Sequence, residues 1–566
     1  MKFPRRVGLV AACAAMIGLI AACGAAPVSA PVSHSVTLVG GIQSNINWWF
    51  PVSSSAGCST TNATTAALLY RPLIYISNTD GIDFTHSIAS SIGVTNHDQT
   101  FTVHLNPKWH WSNGAPVTSQ DAAYSFAIIK AANNPKAPWN DCFTAVGGMP
   151  ALWKSVTTPN SHTLVVTTTK PVGPRWFEHN GLAQLIPIPK TVWDKSSNMT
   201  TELSFILKVG AEPTNPVYRV VDGPYHIGKV VNNEYWTLLA NPHYDGHRAA
   251  VTKLVFEYET STSSEYLGLR KGEFATATLP NSYYKDRGTL LRSGYQVTVA
   301  PYSYCENSIF LNMYPNAPGG GVLSHLYVRQ ALEMGINQNA LIKHFALGLG
   351  QPEYGPIPPQ PKNQFYDPHL QHYPFNIHRG TRLLESHGWQ MKNGVLTKNG
   401  KPLELNYLVQ SGSITQSNMA EYLQSEWAQE GIKVTLTTEP FNQEVSTVAS
   451  PSTRNKWDMF YVGYCYYPNY YPSGTDLYTP GGGVNFGGYS DPAMTRLLDS
   501  IRVAPTAARG RQLLDRYQQM AATQLPALYM PQTTSYMVTL KTVHGVPKSF
   551  DPITEDQWFN RLTLSP

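Results

Sequence analysis

Charge is scarce in this 566-residue chain. Lys and Arg number 41 and Asp and Glu 36, together 14% of residues, against about 25% in ordinary soluble domains. The polar surface therefore falls mostly to Ser, Thr, Asn, Gln and Tyr. No cluster of Lys and Arg occurs beyond the first few residues. That excludes nucleic acid as the main partner, because neutralising phosphates needs clustered cations. Enzyme signatures are missing as well: there is no GxSxG elbow, no Walker loop and no GxGxxG. No pair of carboxylates singles itself out for glycoside hydrolysis. We expect no catalytic residue and no enzyme, with a secreted hydrolase as the reading from another class. Despite 17 His there is no HExxH, no His-x₃-His pair sits on a clear helix, and the Cys residues lack CxxC spacing. Neither a metal nor a cofactor is expected. No repeat of 20–50 residues is visible, which excludes a solenoid or propeller.

What is present is a foldable chain. Hydrophobic residues make up 42% and aromatics 11%, so disorder along the whole length is excluded. At roughly 100–200 residues per domain the length suggests about three to five domain-sized units. Phe101, Val103 and Leu105 alternate with Thr102 and His104, and Val297 and Val299 alternate with Gln296 and Thr298. Both read as half-buried strands. Thr118 with Asp121 reads as a capping box opening a helix over 120–130. Met419, Leu423 and Trp427 form one stripe of a helix that Gly431 ends, and Ile432, Val434 and Leu436 then alternate as a strand. Helices and strands mix through most of the chain, so the class is α/β with mixed sheets. Residues 316–321 and 480–483 read as surface loops, and 356–361 as a break between lobes or subdomains.

The first residues carry an address. Met1 to Arg6 is basic, Val7 to Ile20 is apolar, and Leu19-Ile20-Ala21-Ala22-Cys23 follows. This is the charged, apolar, small-residue order of a bacterial secretory signal. Ile-Ala-Ala-Cys also resembles the lipobox of bacterial lipoproteins, in which the Cys is acylated and becomes residue one. An ordinary signal with an incidental Cys is the other reading. The apolar run is short of the roughly 20 residues that span a bilayer, and no other stretch is long and apolar enough. We therefore expect a signal peptide at 1–22, a lipid-anchored linker at 23–34, and an extracytoplasmic protein held at the cell membrane through Cys23. Export leaves Cys58, Cys142, Cys305 and Cys465, which allow two disulfides in three connectivities.

A series of segments then resembles a known family. Tyr70-Arg-Pro-Leu73 is followed by 101–105, Trp109-His-Trp-Ser-Asn-Gly114, Pro116-Val-Thr118, Asp121 and Tyr124-Ser-Phe126. Asp222-Gly-Pro-Tyr225, Asn241-Pro-His-Tyr244 and Leu267 to Glu273 come next. Val328-Arg-Gln-Ala-Leu332 with Ile336-Asn337 and Ala340-Leu-Ile342, then Gly431-Ile-Lys-Val434 and Gly488-Tyr-Ser-Asp491, complete it. No piece is specific alone; in this order, over about 40–560, the chain resembles the extracytoplasmic solute-binding proteins of ABC importers, in the family of peptide and nickel binders.

The resemblance implies a two-lobed, periplasmic-binding-protein-like fold with ligand trapped between lobes. The first lobe would comprise 35–73, 218–300 and 529–566. An additional domain, 74–217, would pack on it, and 301–528 would form the second lobe. Crossing segments near 300–305 and 527–532 would be the hinge. The implied partners are an oligopeptide and the permease subunits in the membrane, with the protein a monomer. An oligosaccharide is the alternative ligand, since stacked aromatics also suit sugar rings.

Candidate contacts follow from composition and from that resemblance. Seven tyrosines fall between 461 and 478, and tyrosine joins an aromatic face to a hydrogen-bonding tip. We expect Tyr461, Tyr464, Tyr466, Tyr467 and Asn469 to contact ligand, with Trp48 and Trp49 as a second wall and Asn485 and Phe486 as weaker candidates. Trp109-His110-Trp111 reads as a structural turn. The resemblance also implies a Cys305–Cys465 disulfide, leaving Cys58 with Cys142. Where oligopeptide binders carry an Asp for the peptide amine, this chain has Tyr467. Recognition by stacking and hydroxyls is therefore expected, with Glu306 as an alternative acid and Asp476 reachable only by loop rearrangement.

Overall fold

Two mixed sheets organise this computed structural model, which describes residues 37–42, 44–77, 79–466, 471–552 and 557–565. The first has seven strands in the spatial order Tyr295–Val299, Tyr536–Leu540, Thr276–Leu279, Thr37–Ile42, Lys253–Tyr258, Tyr235–Ala240 and Tyr225–Val231. Thr37–Ile42 runs parallel to both its neighbours, and the remaining pairs are antiparallel. The second has five strands: Lys433–Glu439, Glu404–Gln410, Met459–Cys465, Cys305–Leu311 and Ala527–Tyr529. Its first three strands are parallel and the last two pairings antiparallel. Each sheet is the heart of one lobe.

A separate four-stranded antiparallel sheet, Ala89–Thr95, Thr100–Leu105, Thr163–Thr168 and Trp153–Asn160, packs beside the first lobe. Phe101, Val103 and Leu105 are buried while Thr102 and His104 are not, so period-two patterning puts one face on the core. The helix Ser119–Ala132 covers that face. Its start is fixed by Thr118, whose backbone N–H donates to Asp121 Oδ2 at 2.8 Å.

In the second lobe the helix Ile414–Gln429 buries Met419, Leu423 and Trp427. Trp427 Nε1 donates to the Leu332 carbonyl at 2.9 Å. Gly431 then takes φ +85°, a left-handed turn that glycine makes without a Cβ penalty. The strand that follows lies parallel to Glu404–Gln410, closing a strand–helix–strand unit.

Two segments connect the sheets. Residues 300–304 lead from the first to the second, and 530–535 return. They are bonded to each other: Ala300 N–H donates to Ser535 O at 2.9 Å, and Gln532 Nε2 to Ser303 O at 3.0 Å. Gln532 also reaches Gln360 O at 2.7 Å. The 356–361 stretch, expected as a break, is thereby pinned against the returning crossover.

Of three other expectations, two need correcting. The strand with Val297 and Val299 forms, but Val299 sits at its end and is exposed. The 316–321 loop is exposed at Asn316, Pro318 and Gly320, as expected, and Gly319 N–H donates to Asp458 Oδ1 at 2.8 Å. The 480–483 loop is not simply a surface loop. Gly483 lies so close to the Cys142 carbonyl that a Cβ would stand 2.1 Å from it, and its N–H donates to Thr144 O at 3.2 Å.

Candidate ligand-binding cleft

The cleft is built on one antiparallel pair. Cys305–Leu311 and Met459–Cys465 are in register so that Glu306 faces Tyr464, Ser308 faces Val462 and Phe310 faces Phe460. Opposed residues share a face, so these six point together, toward the first lobe. The intervening residues point the other way. Tyr461, opposite Ile309, packs on the second-lobe core, its hydroxyl 3.4 Å from Asn307 Oδ1. Tyr461 is thus separated from Tyr464 and Tyr466 by strand parity. At the end of the pair Cys305 and Cys465 are directly opposed and joined as a disulfide. A second disulfide joins Cys58 to Cys142.

Toward the disulfide end, the cleft face becomes a buried web of tyrosines and acids. Glu306 Oε1 accepts from Tyr478 Oη at 2.6 Å and from Ser308 Oγ at 3.0 Å. Tyr464 Oη donates to Asp476. Tyr466 Oη donates to the Pro356 carbonyl and lies 3.3 Å from Glu306 Oε2. One hydroxyl proton cannot serve both acceptors fully, so a protonated Glu306 satisfies this cluster better than a carboxylate. Burial acts in the same direction. It raises the Glu306 carboxyl to about 7 and the Asp476 carboxyl to about 6, against the hydrogen bonds that tyrosine hydroxyls give each. No ion pair among the described residues involves either acid.

Toward Phe310 and Phe460, the cleft is largely apolar. A cavity of about 90 Å³ lies between Phe310, Phe460 and Val462 of the second lobe and Ala63 and Cys58 of the first, with Phe143 of the adjoining domain. Tyr464 belongs to both ends: its ring lines the cavity while its hydroxyl holds Asp476. Larger cavities lie elsewhere. One of about 350 Å³ sits at the rim between Arg175 and Arg511, and one of about 530 Å³ lies among Arg219, His226 and His243.

The two sides meet along the rim. Gly173 N–H donates to Arg502 O at 2.9 Å, Asn442 Nδ2 to Asn45 O at 2.9 Å, and Thr262 N–H to Gly412 O at 3.0 Å. Buried Asp80 gathers His179 at 2.8 Å, together with Arg175 and Gln364.

The sequence candidates separate accordingly. Tyr464 lines the cavity in the cleft, and Tyr466 lies in the buried web behind it with its hydroxyl on the Pro356 carbonyl. Trp48 and Trp49 are not in the cleft: both are buried in the core that the first lobe shares with the adjoining domain. The Trp48 indole meets Trp139 edge-on at 5.4 Å and donates to Val52 O at 2.9 Å, while Trp49 N–H donates to Gly210 O at 2.7 Å. Asn485 braces a turn, donating to the Thr479 and Tyr489 carbonyls at 2.9 and 2.8 Å. Phe486 lines the cavity. Cys23, Tyr467 and Asn469 lie outside the described residues. Trp109 is a buried structural residue beneath the Arg71 guanidinium, 3.9 Å from its ring. Asp476 needs no loop rearrangement to join the tyrosines. Phe310 and Phe460 of the cavity are not singled out by the sequence reading. Their signal was strand parity, which puts Phe310 and Phe460 on the face of Glu306 and Tyr464.

Comparisons with known proteins agree with this architecture. Residues 83–486 match the family described as bacterial extracellular solute-binding proteins, family 5 Middle. The chain is 24% identical over 457 residues to the oligopeptide-binding protein OppA of Lactococcus lactis subsp. lactis, covering 75% of this chain and 73% of that one. The structure of the oligopeptide-binding protein AppA from Bacillus subtilis, in complex with a nonapeptide, superposes with a TM-score of 0.80 at 16% identity, covering 94% of this chain and 99% of that one. Lactococcal OppA, complexed with an endogenous peptide in the closed conformation, gives 0.78 at 20% identity and covers 94% and 100%.

Proposed function

Since the chain belongs to family 5 of the bacterial extracellular solute-binding proteins, we propose that it captures oligopeptides between its lobes and hands them to the permease of an ABC importer. In this reading an acylated Cys23 holds it at the membrane. The observation that carries the reading is the cleft itself. One face of the 305–311 and 459–465 pair meets the first lobe, and both sides of the rim are joined by hydrogen bonds. The cavity there, about 90 Å³, is well short of the roughly 300–1,000 Å³ of drug-sized ligand sites. A peptide therefore enters only when the lobes part, and the paired crossovers at 300–304 and 530–535 are where the chain would bend. Ligand contacts to both lobes would then favour closure, and the permease would read closure rather than the ligand.

Two experiments test this. Native mass spectrometry of the purified chain should reveal co-purifying peptides, and calorimetry should show peptide binding without turnover. Binding of glycans instead of peptides, or release of hydrolysis products, would overturn the reading. For the anchor, Cys23→Ala should release the protein or block its maturation; an unchanged membrane fraction refutes it.

A further inference from the structure

We propose that the cavity between the lobes is a specificity pocket for one uncharged aliphatic side chain of the bound peptide, of about valine or leucine size. This rests on the reading of the protein as a peptide binder and adds what the cleft selects. The walls are the first argument. Phe310, Phe460 and Phe486 of the second lobe face Phe143 and Ala63 across the gap, and no charged side chain lines it. Its polar members are partly engaged already: Ser59 Oγ accepts from the Asn62 backbone N–H at 3.2 Å, and Tyr464 Oη donates to Asp476. A charge placed there would lose its water without gaining a counter-charge, which is strongly unfavourable.

Size is the second argument. A cavity of about 150 Å³ lined by apolar residues stays dry and takes benzene. This one, at about 90 Å³, suits a branched group of three or four carbons. Position is the third. The walls come from both lobes, so an apolar group in the pocket is buried by closure itself. Each methylene so buried is worth about 0.8 kcal/mol. Alanine would leave the pocket partly empty, whereas an aromatic ring would hold the lobes apart.

The test uses the full chain and an equimolar pool of hexapeptides, each position randomised over Ala, Val, Leu, Phe, Ser, Lys and Glu. The retained fraction is sequenced by mass spectrometry. One position should be enriched over Ala about tenfold in Val, as two methylenes predict, and at least as much in Leu, which adds a third, and depleted further in Lys and Glu. Val462→Phe should fill the pocket and move that preference to Ala or Ser. Phe310→Ala should enlarge it and admit Phe. Retention with no aliphatic preference at any position overturns the inference while leaving the peptide-binder reading intact. Should no peptide be retained, that reading fails, and xenon then probes the pocket alone. A saturable ¹²⁹Xe shift that Val462→Phe abolishes keeps the pocket as an apolar site; its absence overturns it.

Discussion

Trp48 with Trp49 and Tyr464 with Tyr466 all read as ligand walls in the sequence, and all four are buried. Trp48 is 5% exposed and Tyr464 8%, so burial does not tell them apart. Their polar tips do. The Trp48 N–H donates to a carbonyl only four residues on. The tyrosine hydroxyls donate to partners on other segments: Tyr478 to Glu306, Tyr466 to the Pro356 carbonyl, and Tyr464 to Asp476, twelve residues on. A local backbone partner marks an aromatic that completes a core. A buried acid brought from another segment marks a polar cluster whose desolvation the fold must offset.

The largest test of that contrast is truncation. Trp48→Ala should cost about 3–5 kcal/mol of stability, as large-to-small core changes do, because it empties the space beside Trp139 and Gly210. Affinity per folded molecule should stay within about twofold. Urea unfolding with calorimetry on the folded fraction checks both. A large affinity loss with little stability loss would put Trp48 back in the cleft.

Next in size is the pH dependence of Glu306. Its carboxyl stands at about 7 in the folded chain and near 4.3 unfolded. The folded state thus holds the proton more tightly. The group's contribution is fully present below the unfolded value and is lost as pH rises toward the folded one, on the order of 3 kcal/mol in all. Glu306→Gln stays neutral throughout. Wild type and variant should be nearly equal at pH 4, and the variant should be more stable at pH 8. Urea midpoints at the two pH values decide it. An equal gap at both would mean that Glu306 is not buried as an acid.

Much of the architecture is legible in the residues. The alternation at 101–105, the Thr118–Asp121 cap and the Met419–Leu423–Trp427 stripe each fix an element through short-range geometry. The site is less legible, for a physical reason. A dense tyrosine count says that hydroxyls are available but not which way they point. That depends on strand parity and register, which put Tyr461 on one face and Tyr464 on the other. Glu306 and Asp476 are 170 residues apart in the chain, and only the pairing of 305–311 with 459–465 gathers them. Tryptophan misled because its size suits a core as well as a ligand, and the adjoining domain that swallows Trp48 is contributed by distant residues.

The smallest effect separates two tyrosines three residues apart. Tyr464 Oη donates to buried Asp476, whereas Tyr461 Oη reaches only Asn307 at a long 3.4 Å. Tyr461→Phe should therefore cost no more than about 0.5 kcal/mol at any pH, since a weak contact between neutral groups is lost. Tyr464→Phe removes a donor from an acid whose carboxyl stands at about 6. At pH 5 most of that acid is protonated and the loss should be about 1 kcal/mol. At pH 8 it is ionised, and losing a hydrogen bond to a charged group should cost about 1.5–3 kcal/mol. The pH-dependent part is the sharper reading, because ring packing is untouched in both variants. Urea midpoints at pH 5 and pH 8 measure it. A Tyr464→Phe cost that is flat with pH would mean that its hydroxyl does not support the Asp476 charge, and the distinction between the two faces of the strand would then rest on burial alone.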